Sequence, residues 1–188
     1  MLPAVECVIM DTPTERHDEI RSIATRVGSR LRDRNETVST AESLTGGMIS
    51  AELTAIPGSS DYFTRGFVTY AYDAKRSALA VPRELLDEHG AVAEAVATRM
   101  AQSARDIADT TWAISVTGIA GPDGGTETKP VGLVYIAIAY AGPWGTQTSA
   151  VTADRFVFDG DRQSVRHQTV YTALESLETA ITRSSPDE

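Results

Sequence analysis

The feature that most constrains this chain is the order of its periodicities. Segments with apolar residues at helical spacing alternate with short β-branched runs, and two β runs then follow each other directly. Ile20, Ile23, Val27 and Leu31 recur at helical spacing through a charged stretch, which predicts an amphipathic helix ending near Asn35. Thr37 to Thr40 is a strand candidate that runs into the turn Ala41-Glu42-Ser43-Leu44-Thr45-Gly46-Gly47 and a helix-like stretch from Met48 to Leu53. Pro57-Gly58-Ser59-Ser60 reads as a loop and Gly66 to Tyr70 as a strand. Asp73 to Ala80 predicts a short helix with Asp73 as its N-cap, and Pro82 opens another at its favoured first-turn position, ending near His89-Gly90.

Val96, Met100, Ala104 and Ile107 mark a further helix, Thr111 to Val116 a strand, and Gly118 to Pro130 a long glycine-rich loop. Val131 to Tyr140 and about Ser149 to Phe158 predict two strands joined by the turn Gly142-Pro143-Trp144-Gly145. A last helix runs from about Arg162 to Ile181 with Val165, Val170, Leu174 and Leu177 turned inward. Alternating helices and strands favour a parallel sheet covered on both faces, and the two consecutive strands add an antiparallel pair. The expectation is one three-layer α/β/α domain with a mixed, mostly parallel sheet over residues 16–182, between a loose leader over 1–15 and a tail over 183–188.

Composition narrows the function. With 188 residues, 41% of them hydrophobic, the chain can bury a core without metal or disulfide staples. A net charge of -9 argues against a nucleic-acid partner, which draws on clustered Lys and Arg. The one basic cluster, Arg26, Arg30, Arg32 and Arg34, reads as a solvated face. Cys7 is the only cysteine, and His17, His89 and His167 form no ligand-spaced pair, so neither a metal centre nor a cofactor is expected. No segment approaches the roughly 18 apolar residues of a membrane span. The start, Met1 to Met10, contains Glu6, lacks a basic region and meets Asp11 and Pro13, unlike a signal peptide. A reducing, cytoplasmic setting follows as the expectation.

Candidate site residues fall at the ends of predicted strands, where open α/β sheets form their ligand crevice. Ser43 occupies a strand-to-helix turn, where a hydroxyl is exposed and the following backbone amides can hold an oxyanion or a phosphate; Gly46 and Gly47 would let that backbone approach a ligand. Read alone, Ser43 is more simply a turn or N-cap serine. Serine needs a base. Lysine can act as one only where burial or neighbouring charge lowers its pKa from about 10.4 toward roughly 7 to 8. Lys75 follows Tyr70 just past a strand. Of the 17 basic residues 15 are Arg, so the two lysines, Lys75 and Lys129, stand where a guanidinium has been avoided. Thr117-Gly118-Ile119-Ala120-Gly121 opens the glycine-rich loop, which ends at Lys129-Pro130 and therefore lacks the Ser or Thr of a phosphate-binding Walker loop. Arg162, at the head of the last helix, suits an anion, with Asp161 as an alternative simple N-cap.

These segments in this order resemble the C-terminal domain of the CinA family in its stand-alone form. The resemblance spans residues 16–182 and is carried by Thr40-Ala-Glu-Ser-Leu-Thr-Gly-Gly47, Pro57-Gly-Ser-Ser60, Arg65-Gly-Phe-Val-Thr-Tyr70, Ala74-Lys75, His89-Gly-Ala-Val92, Thr117-Gly-Ile-Ala-Gly-Pro122, Lys129-Pro-Val-Gly132 and Gly160-Asp-Arg162. It implies hydrolysis of the carboxamide of nicotinamide mononucleotide (NMN) to nicotinic acid mononucleotide and ammonia. By the same resemblance Ser43 is the nucleophile, Tyr70 and Lys75 transfer protons, and Thr45, Thr117 and Arg162 contact substrate. Self-association into a homo-oligomer is also implied. Leu44 stands where the family usually has Cys, and Tyr72 where many members have Asn. The alternative reading is a non-catalytic pyridine-nucleotide-binding or partner domain. A reductase built on a Tyr-x-x-x-Lys pair would need the dinucleotide fingerprint, which is missing.

Overall fold

In the computed structural model, which describes residues 13–184, the chain alternates helix and strand as its periodicities require. Helix α1 (Pro13–Asp33) precedes strand β1 (Val38–Glu42), helix α2 (Met48–Thr54) and strand β2 (Phe63–Val68). Three helices follow, α3 (Tyr72–Leu79), α4 (Arg83–His89) and α5 (Glu94–Ala108), and lead to strand β3 (Trp112–Gly118). Strands β4 (Leu133–Tyr140) and β5 (Ala150–Val157) form a hairpin, and α6 (Arg162–Arg183) closes the domain. The first twelve residues of the expected leader, Cys7 among them, lie outside the described residues. The last three belong to α1.

The five strands form one sheet in the order β2-β1-β3-β4-β5. Strand β1 pairs in parallel with β2 and β3, while β4 is antiparallel to both β3 and β5. Four strands therefore run one way and β4 alone runs against them, the mixed and mostly parallel sheet expected. After β1 the chain crosses through α2 to one side. It returns through α3, α4 and α5 to the other side of β1. Parallel crossovers are right-handed, so two crossovers in opposite directions put their helices on opposite faces. The result is the three-layer α/β/α arrangement.

Side-chain alternation along the strands matches the two layers. Trp112, Ile114 and Val116 of β3 and Val134, Ile136 and Ile138 of β4 pack toward α1, α2 and α6. Ala113, Ala137 and Ala139, on the other face, pack against Ala97, Ala101 and Ala104 of α5. Small residues on both sides bring α5 close to the sheet.

Several boundaries differ from the sequence expectation for identifiable reasons. Strand β2 begins at Phe63 rather than Gly66, because Val38 N–H donates to the Tyr62 carbonyl at 2.7 Å and starts the ladder there. Helix α3 takes Ala71 as its N-cap, without a side-chain cap; Asp73 lies inside it and pairs with Arg76. Pro82 is the N-cap of α4 rather than its first helical residue. Ile107 is 44% exposed, since the buried stripe of α5 runs through Ala104 to Ala108 instead. The arginine cluster is tied down rather than merely solvated. Arg26 and Arg30 pair with Glu178 of α6, and Arg32 donates to the Pro57 carbonyl.

Candidate active site

Strands β1, β2, β3 and β5 run the same way, so their C-terminal ends share one sheet edge. Ser43 follows β1, Tyr70 follows β2, Thr117 and Gly118 end β3, and Arg162 begins the helix after β5. Residues dispersed over 120 positions thus reach one place by topology. The chain reverses direction at β1, and the cleft between its end and that of β3 is the crevice such a reversal leaves. This cleft, about 160 Å3, is lined by Ser43, Leu44, Tyr70, Ala91, Val92, Thr117, Gly118, Ala120 and Arg162.

Strand alternation decides what Ser43 and its neighbour do. The Ser43 amide donates to the Val116 carbonyl at 3.1 Å, so the β1–β3 ladder continues one residue past the strand. Glu42 then turns to the α2 side and Ser43 to the α3 side. Lys75, in the first half of α3, is completely buried. Its Nζ donates to Ser43 Oγ at 2.9 Å, to the Thr69 carbonyl at 2.6 Å and to the Tyr70 carbonyl at 3.3 Å. These acceptors are all neutral oxygens. Burial accordingly disfavours the ammonium form and lowers the Lys75 pKa to about 8. A lysine of this kind supplies a substantial neutral fraction near neutral pH and can take a proton from a hydroxyl in direct contact.

Glu42 is buried, and among the described residues no cation pairs with it. Its carboxylate accepts from Thr45 Oγ1 at 2.7 Å, Gly47 N at 3.0 Å, Ile49 N at 3.1 Å, Ser50 N at 2.8 Å and Ser50 Oγ at 2.7 Å. Five donors and the start of α2 together satisfy the charge. The two glycines of the turn have φ of +65° and +100°, a left-handed conformation in which side chains are strained, and this geometry brings the chain back over Glu42.

The remaining expected residues separate into two groups. Tyr70, Thr117, Gly118 and Arg162 line the cleft with Ser43, whereas Thr45, Gly46 and Gly47 do not. The Gly46 amide donates to the Ser43 carbonyl and the Gly47 amide to Glu42, so neither is the free oxyanion donor expected of this turn. Among the described residues nothing accepts from the Leu44 or Thr45 amide. Tyr70 offers Lys75 its carbonyl, not its phenol; the residue is 63% exposed, and its phenol accepts from Arg162 at 3.2 Å. Arg162 also donates to the Gly121 carbonyl at 2.6 Å and so ties the glycine-rich loop to Tyr70 across the cleft mouth.

Glu42 and Arg166 are not among the residues expected from the sequence. Arg166 donates to the Leu44 carbonyl at 3.2 Å and to the Thr45 carbonyl at 2.9 Å, holding the serine turn from behind. Their signals are an acid closing a β run directly before a Gly-Gly turn, and a second arginine one helical turn beyond Arg162. No described helix is long and apolar enough to cross a membrane.

Fold and site together define a three-layer α/β domain with a buried serine–lysine pair at its topological crevice. The family model of the CinA C-terminal domain matches residues 20–181, and the chain belongs to that family. It is 45% identical to the nicotinamide-nucleotide amidohydrolase PncC of Pseudomonas putida, covering 85% of this chain and 96% of that protein. It is 50% identical to a CinA-like protein of Citrifermentans bemidjiense over 81% of this chain but only 35% of that longer protein, so it spans about a third of such relatives. A competence/damage-inducible protein of Agrobacterium tumefaciens, 42% identical, superposes with a TM-score of 0.81 over 87% of this chain and 96% of that one. The competence damage-inducible protein A of Klebsiella pneumoniae, 32% identical, gives 0.82 over 88% and 99%.

Proposed function

We propose that this chain is an amidohydrolase that converts NMN and water to nicotinic acid mononucleotide and ammonia. The observation that carries this reading is the 2.9 Å contact between Lys75 Nζ and Ser43 Oγ in a site that lowers the lysine pKa to about 8. Neutral Lys75 takes the Ser43 proton as Oγ bonds to the carboxamide carbon. The carbonyl π pair moves to oxygen, where the uncommitted amide of Leu44, the cleft residue directly after the nucleophile, can receive it. Collapse of this tetrahedral species expels ammonia, which takes its proton from the Lys75 ammonium. Water, deprotonated by the same lysine, then cleaves the acyl ester and restores Ser43.

The cleft is smaller than the roughly 300–1,000 Å3 usual for whole ligands, which suits enclosure of one end of a nucleotide. The pyridine ring meets Leu44, Ala91, Val92 and the Tyr70 ring, and a pyridinium against an aromatic face gains cation–π attraction. Arg162 stands at the mouth, where the ribose phosphate would emerge. The amidohydrolase name of the Pseudomonas putida relative, which this chain matches almost end to end, supports the same chemistry. The test is ammonia release from NMN by the purified chain. Ser43→Ala and Lys75→Arg should each abolish it while circular dichroism stays native, and near-wild-type turnover by either variant overturns the scheme.

A further inference from the structure

The segment joining α4 to α5 borders two hollows at once. Ala91 and Val92 line the Ser43 cleft, while His89 and Ala93 border an open hollow of about 420 Å3 that continues along Glu94, Thr98 and Arg99. None of residues 89–93 is fully buried. Ala91 and Ala93 pack only in part against the core beneath α5, so hydrogen bonds also help to set the position of this wall.

Three elements supply them. Lys129, at the end of the glycine-rich loop, donates from Nζ to the His89 carbonyl at 2.6 Å. Thr117, at the end of β3, donates from Oγ1 to the Ala91 carbonyl at 2.7 Å. Tyr72, the first residue of α3, accepts at Oη from the Ala91 amide at 3.0 Å. Gly90 lies between the Lys129 and Tyr72 anchors of this clip: a Cβ there would come within 3.4 Å of Lys129 Nζ and 3.6 Å of Tyr72 Oη. The Lys129 ammonium sits on a carbonyl of the last turn of α4, where positive charge is favoured. Both lysines of the chain therefore bind main-chain carbonyls beside the cleft, Lys75 beneath Ser43 and Lys129 across from it.

We infer that Lys129 and Tyr72 are positioning residues that clip residues 89–91 and so set the width of the cleft opposite Ser43. Neither touches the reacting atoms. Their substitution loosens the wall, which weakens substrate binding more than it slows the chemical step. The consequence for substrate rests on the amidohydrolase reading, whereas the clip itself is a property of the free protein.

The experiment combines two readouts on wild type, Lys129→Met, Tyr72→Phe and Lys129→Arg. Amide hydrogen exchange is followed by mass spectrometry on the ligand-free protein, and steady-state kinetics are measured with NMN. Exchange over residues 85–95 should accelerate about tenfold in Lys129→Met and Tyr72→Phe, each of which loses one of the hydrogen bonds that hold the segment, while peptides from β1, β3 and α6 remain as in wild type. KM should rise about tenfold with kcat falling less than about threefold, and Lys129→Arg, which keeps donor and charge, should recover most of both effects. Unchanged exchange in this segment overturns the clip. An increase spread over the whole domain, or a fall in kcat that matches the rise in KM, also overturns it. Failure of wild type to release ammonia from NMN would instead overturn the substrate reading, leaving exchange to decide the clip.

Discussion

Glu42 and Ser43 are chain neighbours whose side chains serve opposite faces of the sheet. The Glu42 carboxylate accepts from the Ser50 amide at 2.8 Å on the α2 side, and Ser43 Oγ accepts from Lys75 at 2.9 Å on the α3 side. The backbone of one turn thus joins a stability device to a reactive pair, and substitutions on the two faces should act differently.

Glu42→Gln keeps the shape and removes the charge. Its amide nitrogen would face donors, because every Glu42 contact is an N–H or O–H that points at the carboxylate. Hydrogen bonds to a charged acceptor contribute about 1.5–3 kcal/mol each, and part of the loss is recovered by the remaining carbonyl. The expected cost is about 3 kcal/mol, a fall in Tm of roughly 6–12 °C for a domain of this size. Calorimetry on the two proteins checks it, and an unchanged Tm would mean that the five contacts do not hold the turn.

The division between what could and could not be read from sequence follows the range of the interactions. Periodicity located α5 and α6 because Val96, Met100, Ala104, Val165 and Leu174 recur at spacings that burial imposes locally. Lys75 could be singled out because deprotonation chemistry is closed to arginine. The contacts of Glu42 with Ser50, of Lys129 with His89 and of Arg166 with the serine turn depend on where the chain folds back, and no periodicity encodes that. Thr45, Gly46 and Gly47 mislead for the related reason that a glycine-rich turn suits a ligand or an internal carboxylate equally well. Only the side to which Glu42 turns distinguishes them.

The rate should follow the protonation of Lys75. With its pKa near 8, about a tenth of the lysine is neutral at pH 7, and kcat/KM should rise about tenfold per pH unit below that pKa and level off above it. Lys75→Arg should leave no such limb, because its side chain remains protonated throughout. The check is a pH profile of ammonia release from NMN between pH 6 and 9.5; a flat profile would exclude Lys75 as the base.

Tyr70 separates a direct proton transfer from a relayed one. Lys75 Nζ contacts Ser43 directly, while the Tyr70 hydroxyl points to Arg162 at 3.2 Å in an exposed position. Tyr70→Phe should therefore keep kcat within about threefold, since only an exposed hydrogen bond is lost, whereas Tyr70→Ala should raise KM by about tenfold or more by removing the ring from the cleft. A hundredfold loss of kcat in Tyr70→Phe would restore the phenol to the proton path.

Lys75 should also make the domain pay for its chemistry in stability, with a definite sign in pH. Burial lowers its pKa from the ordinary 10.5 to about 8 in the folded state. Below pH 8 both folded and unfolded chains carry the proton, and the folded state bears the full cost of the buried ammonium. Between about pH 8 and 10.5 the unfolded chain still holds a proton that the folded chain has lost, so this group makes stability rise with pH. The total increment is roughly 3 kcal/mol. Lys75→Met fills the same space without a titrating group, so wild type should gain on the variant as pH rises from 8 to 10. Other groups also make stability depend on pH, Tyr62 with its pKa raised by burial among them, but they are common to both proteins and cancel in the difference. Urea midpoints measured at pH 7.5, 9 and 10 give that difference directly. Parallel curves for the two proteins would show that Lys75 titrates alike in the folded and unfolded chain, and would remove the basis for its action as a base near neutral pH.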